Sequence, residues 1–148
     1  MSIRVYLERN VTPQLIEDAL PLVQAMHREI KGGPLPGLNS DFIRDAIASD
    51  VLKVVLARDG DQLIGFLTMY VFRSILGAME ASITHVYVDK THRGRKLAVA
   101  DQMVQLARAM ADAAKARCSV VAEKEHAINL FLRTGFVATG AVLESAHV

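Results

Sequence analysis

The residues best suited to chemistry lie together at Asp89-Lys90-Thr91-His92-Arg93-Gly94-Arg95-Lys96, a short loop with four basic side chains and one glycine. Upstream, Ile83, Val86, Tyr87 and Val88 form a β-branched and aromatic run that reads as a strand. Downstream, Leu97, Ala100, Met103, Val104, Ala107, Met110 and Ala111 recur at the i, i+3, i+4 spacing of one buried helix face. A strand that enters a helix through a glycine-bearing loop aims unpaired backbone N–H groups at whatever lies above the helix start, which makes an anion site. Arg93, Arg95 and Lys96 crowd the positive end of the helix dipole, where each cation costs about 0.3–1 kcal/mol. A bound anion would offset that cost; the alternative is a solvated basic turn. The P-loop pattern G-x-x-x-x-G-K-S/T is absent, and so is the dinucleotide pattern G-x-G-x-x-G.

Other chemistries find less support. The histidines His27, His85, His92, His126 and His147 show no H-x-x-x-H spacing and C-x-x-C is absent, so no metal is expected. Cys118 is the single cysteine and sits in the apolar run CSVVA, which reads as a buried strand thiol and excludes an internal disulfide framework. There is no G-x-S-x-G. A net charge of +1 argues against a general nucleic-acid binder, which would usually be strongly basic; the positive charge is instead concentrated in one loop. No stretch reads as a signal peptide or a membrane span. A soluble cytoplasmic protein with one domain over residues 1–148 is the expectation.

The remaining elements must position that loop. Residues 3–8 alternate weakly and read as a first strand. Thr12-Pro13 is a helix start, with Thr as N-cap and Pro in the first turn. Leu15, Ile16, Ala19, Leu22, Val23, Met26 and Ile30 carry that helix to about Lys31, and Pro21 is expected to bend it. KGGPLPGLNS is a Gly- and Pro-rich loop, either a lid or a plain connector. Asn39 or Ser40 should cap a short helix with Phe42, Ile43, Ala46 and Ile47 inward. Residues 51–72 read as a hairpin turning at Asp59-Gly60, with a bulge expected at Gly65. Glu80 opens the central strand. ARCSVVA is a further strand, giving a βαβ unit whose two strands should be parallel. EHAINLFLRT is a short helix stopped by Gly135, and FVATGAVL reads as a last strand.

VYVDKTHRGRKLA resembles the acetyl-CoA loop of the GNAT superfamily of N-acetyltransferases, whose usual form is a V-x-V strand end followed by Q/R-x-x-G-x-G/A. Carried over by position, Arg93 takes the Gln/Arg place and Ala98 the final Gly/Ala place, with Gly94, Arg95, Lys96 and Leu97 between them. Lys96 departs from the family, standing where the inner glycine is usual; its side chain could crowd the phosphates, or its charge could help hold them. AINLFLRTGF resembles a second family motif, A-x-x-x-Y-x-x-x-G-F, with Ala127, Gly135 and Phe136 matching and Phe131 in the tyrosine place. The element order agrees along nearly the whole chain.

The resemblance implies an α/β (α+β) fold. Its central mixed, mostly antiparallel sheet would carry helices on both faces, with one parallel strand pair splayed around acetyl-CoA. It also implies an acetyl-CoA-dependent N-acetyltransferase with no metal. Loop amides from Arg93 to Ala98 would bind the pyrophosphate. Val86, Tyr87 and Val88 would pair with the pantetheine arm, and Asn129 and Phe131 would flank it. Acetyl transfer to an amine needs a general base, an oxyanion donor and a tolerable leaving group. The amide near Val88 would be that donor. Glu80 and His85 on the central strand are the candidate bases: Glu80 lies one same-face step from Ser82, where many members carry glutamate. His85 lies on the other face unless a bulge switches parity. Tyr70 and Tyr87 are further polar-tipped residues near this region. The partners would be a small-molecule amine or a protein amino group as acceptor and, at most, a second copy in a homodimer; membrane and nucleic acid are not expected. A non-catalytic acyl-CoA-binding module and a nucleic-acid or phosphate-binding protein are the competing readings.

Overall fold

A computed structural model describes residues 2–94 and 96–140. The elements are β1 (Ile3–Glu8), α1 (Pro13–Lys31), α2 (Ser40–Ile47), β2 (Leu52–Asp59), β3 (Gln62–Arg73), β4 (Met79–Val88), a 3-10 turn (Lys90–His92), α3 (Val99–Ala113), β5 (Arg117–Val120) and α4 (Glu125–Arg133). The strands form one sheet in the order β1-β2-β3-β4-β5. Neighbours are antiparallel except β4 and β5, which run parallel across the α3 crossover.

Local chemistry explains most boundaries. Thr12 Oγ1 accepts from the Leu15 amide at 3.1 Å and caps α1. The helix continues through Pro21 and ends at Gly32, whose left-handed φ of 80° lets its amide reach Arg28 O. Asn39 Oδ1 accepts from the Phe42 amide at 2.9 Å and caps α2. The inward face of α2 is narrower than its pattern suggests: Ile43 is buried and Ile47 half-buried, while Phe42 and Ala46 are exposed. Eight residues make barely two turns, so one row of side chains is all it buries. The hairpin turns one position later than expected, on Gly60-Asp61, because Asp59 still pairs with Gln62. The bulge falls at Ile64: Ala57 pairs with Gly65 but Arg58 with Leu63. Gly65 itself sits where β3 meets β4 so closely that a Cβ would lie 2.9 Å from Tyr87 O.

Two apolar layers flank the sheet. On one face Val55, Ile64, Leu67, Met69, Ile83 and Val88 pack with Met103, Val104 and Ala107 of α3 and with Leu130 and Phe131 of α4. On the other, Leu56, Phe66 and Tyr87 pack with Leu15 and Leu22 of α1. The expected last strand is not seen in residues 136–140, which have no regular structure; its remainder, from 141 on, lies outside the described residues.

Gly135 ends α4 with a φ of 99°. A Cβ there would collide with the Arg108 guanidinium, which caps α4 by donating to Thr134 O at 2.6 Å. Gly135→Ala therefore combines left-handed strain with a displaced capping bond, and should lower unfolding stability by about 2–3 kcal/mol. Urea unfolding followed by circular dichroism measures it; an unchanged midpoint would mean Arg108 moves without loss.

Candidate active site

Pairing between β4 and β5 runs from Glu80–Arg117 to Ile83–Val120 and stops there. Beyond it the strands part around a cleft of about 790 Å³. One wall is the free edge of β4. The opposite wall is residues 120–124 with α4, the floor is the start of α3, and Met26, Glu29 and Ile30 of α1 close one end.

A bulge decides what β4 presents. Thr68 pairs with His85 but Met69 pairs with Ile83, so Thr84 is an extra residue. Ala81 and Ile83 point into the α3 layer. Past the bulge it is Val86 and Val88 that face that layer, leaving His85 and Tyr87 on the α1 side with Ser82 and Glu80. The parity switch on which the His85 reading depended is therefore present. Backbone direction follows too. Asp89 N bonds Ile64 O on β3 at 2.7 Å, and antiparallel pairing alternates residue by residue. The N–H and C=O of Val86 and Val88 are thereby turned away from β3 into the cleft.

The start of α3 forms the floor of the cleft. Its N-cap, Ala98, holds left-handed angles (φ 51°, ψ 37°) and offers no side-chain capping bond. The Gln102 amide bonds back along the helix to Ala98 O at 3.0 Å. The amides of Val99 and Ala100 lie at the positive end of the helix, on residues that line the cleft. Gly94, with φ of 119°, lines it as well. Lys96 is exposed. Leu97 packs against the α3 core, and neither it nor Lys96 lines the cleft. Arg95 lies outside the described residues.

Arg93 turns toward α1 rather than toward the helix start. Its Nε donates to Val88 O at 2.7 Å, and its guanidinium holds both Glu29 oxygens at 2.8 Å while lying over the Tyr87 ring. Tyr87 OH donates to Glu29 at 2.9 Å. Burial raises the Glu29 pKa, but the bonds from Arg93 and Tyr87 outweigh it and hold the carboxyl below its ordinary range. Burial and the Glu29 bond push the Tyr87 pKa up. Tyr87 is thus a poor acid, and it stands on the α1 face while Phe131 belongs to the α3 face. Phe131 lines the cleft with Asn129 and packs edge-on against Phe136, centroids 5.3 Å apart.

The two candidate bases separate. His85 lines the cleft. Its ring keeps contact with solvent, yet the cleft walls strip enough water to lower its pKa, which favours the neutral ring. Glu80 does not line the cleft; it is held by Arg117 at 3.2 and 3.4 Å at the far end of the strand. Tyr70 is outside the lining as well. The 31–39 loop is tied to α1 by His27 Nδ1 to Gly33 O at 2.7 Å and by Leu35 N donating to Gln24 Oε1 at 2.8 Å; none of its residues lines the cleft. Sequence reasoning missed Glu29, and it missed Asp101 and Arg133, whose two-bond ion pair at 2.8 Å joins α3 to α4 at the cleft floor. Among the described residues no His, Cys, Asp and Glu group is arranged to hold a metal ion, and no helix is long and apolar enough to cross a membrane.

The model of the acetyltransferase (GNAT) family matches residues 21–136. No curated protein matches the chain. Solved structures resemble it at low identity over nearly their whole length. A ribosomal-protein-alanine N-acetyltransferase from Brucella melitensis biovar Abortus 2308 has a TM-score of 0.72 at 18% identity, covering 99% of this chain and 98% of that one. An aminoglycoside acetyltransferase from an uncultured soil metagenomic sample, in complex with sisomicin, has a TM-score of 0.81 at 16% identity, covering 99% and 95%. A probable acetyltransferase has a TM-score of 0.75 at 22% identity, covering 100% of both chains.

Proposed function

The chain belongs to the acetyltransferase (GNAT) family, and from that premise we propose that it transfers the acetyl group of acetyl-CoA to a primary amine of a small molecule or protein by direct attack on the thioester. The observation that carries the reading is the β4 edge past Ile83, where β5 no longer pairs with it, facing the start of α3 with His85 turned to the other side by the bulge. These residues fit acetyl-CoA. The amides around Gly94 and at Val99 and Ala100 would take the pyrophosphate, the Val86 backbone and the Val88 N–H the pantetheine arm, and Asn129 and Phe131 would stand beside it. Bound there, acetyl-CoA supplies the acetyl group and a thiolate leaving group. His85 takes the proton of the acceptor amine, and the Val88 N–H is the donor available to the carbonyl oxygen.

The acceptor side suits an amine on an apolar body. Tyr70 and Phe72 follow Thr68 on the same face of β3 and are 38% and 41% exposed, with Ile30 of α1 at 52%. Glu29 at the α1 end of the cleft is already held by Arg93, and Glu80 further along β4 by Arg117. Thiol release from acetyl-CoA tests both points, with phenylethylamine, spermidine, lysine and a short peptide as acceptors. Phenylethylamine should exceed spermidine in kcat/KM by at least about tenfold, the worth of partly burying one ring. Preference for spermidine would contradict the apolar assignment. No turnover of any amine, with acetyl-CoA still bound, would favour the non-catalytic module.

Phe131 is what keeps that second reading in view, because it offers no hydroxyl to the leaving thiolate. Thiols ionise near pKa ~8.5, so the thiolate can depart unassisted, though slowly. Phe131→Tyr should raise kcat on the best amine and leave acetyl-CoA affinity unchanged. An unchanged kcat would mean the ring edge does not face the sulfur.

A further inference from the structure

We propose that Thr68 and Thr84 are positioning residues that set the tautomer of His85, placing the proton on Nδ1 and leaving Nε2 as the acceptor. This rests on the reading of His85 as the base. Three contacts carry it. Thr84 Oγ1 donates to Thr68 O at 3.2 Å, Thr68 Oγ1 lies 2.6 Å from Thr84 Oγ1, and Thr68 Oγ1 lies 3.4 Å from His85 Nδ1.

Each hydroxyl has a single proton to donate. We assign the Thr84 proton to Thr68 O, which only accepts; across the 2.6 Å contact between the hydroxyls either oxygen can donate. The short contact between the hydroxyls must then be made by the Thr68 proton, pointing at Thr84. Toward the ring, Thr68 Oγ1 has only lone pairs left. His85 Nδ1 therefore donates, and in a neutral imidazole the other nitrogen, Nε2, holds the free lone pair. The chain runs in one direction, from ring to Thr68 to Thr84 to backbone. At 3.4 Å the ring contact is long, as catalytic hydrogen bonds often are before substrate is bound. The bulge is what assembles the set: Thr84 is the extra residue in β4, and by it His85 comes opposite Thr68. In the reverse order Thr84 would donate to Thr68 and Thr68 to Nδ1. Nε2 would then carry the proton and could not accept one.

Nitrogen and carbon chemical shifts of histidine-labelled full-length protein, above the His85 pKa, read the tautomer without reference to activity. Neutral His85 should carry its proton on Nδ1. Thr68→Val, which keeps the shape and removes the hydroxyl, should shift the population toward Nε2–H. It should also lower kcat about tenfold while leaving KM for acetyl-CoA unchanged. Thr68→Ser should restore both. An Nε2–H tautomer in the wild type would overturn the proposal, and so would a Thr68→Val variant with unaltered tautomer and kcat. Wild-type turnover by His85→Asn, with the Nδ1–H tautomer observed in the parent, would instead overturn the reading of His85 as base.

Discussion

Gly94→Glu is expected to abolish acetyl-CoA binding, with at least a hundredfold loss of affinity by calorimetry. Gly94 holds a φ of 119°, a conformation that L side chains rarely adopt. Any side chain there is strained by about 1–2 kcal/mol, although a Cβ would meet no atom within 4 Å. The larger effect is electrostatic. At roughly 5 Å and an effective dielectric near 20, a carboxylate repels each phosphate charge by about 3 kcal/mol. Gly94→Ala carries the strain without the charge and should lose only about tenfold. Wild-type affinity in the glutamate variant would place the phosphates elsewhere.

His85→Gln is expected to lower kcat/KM by about 10²–10⁴ and to remove the acidic limb of its pH profile. The sign follows from the chemistry: a protonated ring cannot accept the amine proton, so activity falls as pH drops through the free-enzyme pKa. Desolvation lowers that pKa, so the limb should lie below the ordinary histidine value of about 6.5 once the amine's own ionisation is subtracted. Glu80→Gln should leave the limb in place, since Glu80 is paired with Arg117 and stands outside the cleft. A limb that survives in His85→Gln and disappears in Glu80→Gln would reverse the assignment.

Much of this arrangement is legible along the chain. Thr12-Pro13 marks the start of α1, and the glycine-bearing basic loop marks the start of α3, because both signals act over a few residues. The β4 bulge is left open by the sequence, because whether His85 shares a face with Glu80 depends on the β3–β4 register. What is not legible depends on contacts between distant segments. Glu29 lies 64 residues from Arg93, and nothing near it in sequence marks it as that residue's partner. The pairing of Glu80 with Arg117 requires the β4–β5 register. Phe42 and Ala46 keep a helical apolar period yet stay outside the core, because α2 is too short to bury a wide face. In FVATGAVL the apolar run alone proposes a strand, but no ladder partner is evident from sequence, and residues 136–140 do not form one.

The most direct test is a crystal structure of the chain with acetyl-CoA bound. The account predicts the pyrophosphate on the amides around Gly94 and at Val99 and Ala100, the pantetheine arm along Val86 and Val88, and His85 Nε2 open toward the thioester from the α1 side. A pyrophosphate bound away from the start of α3, or a thioester shielded from His85 by the sheet, would contradict it.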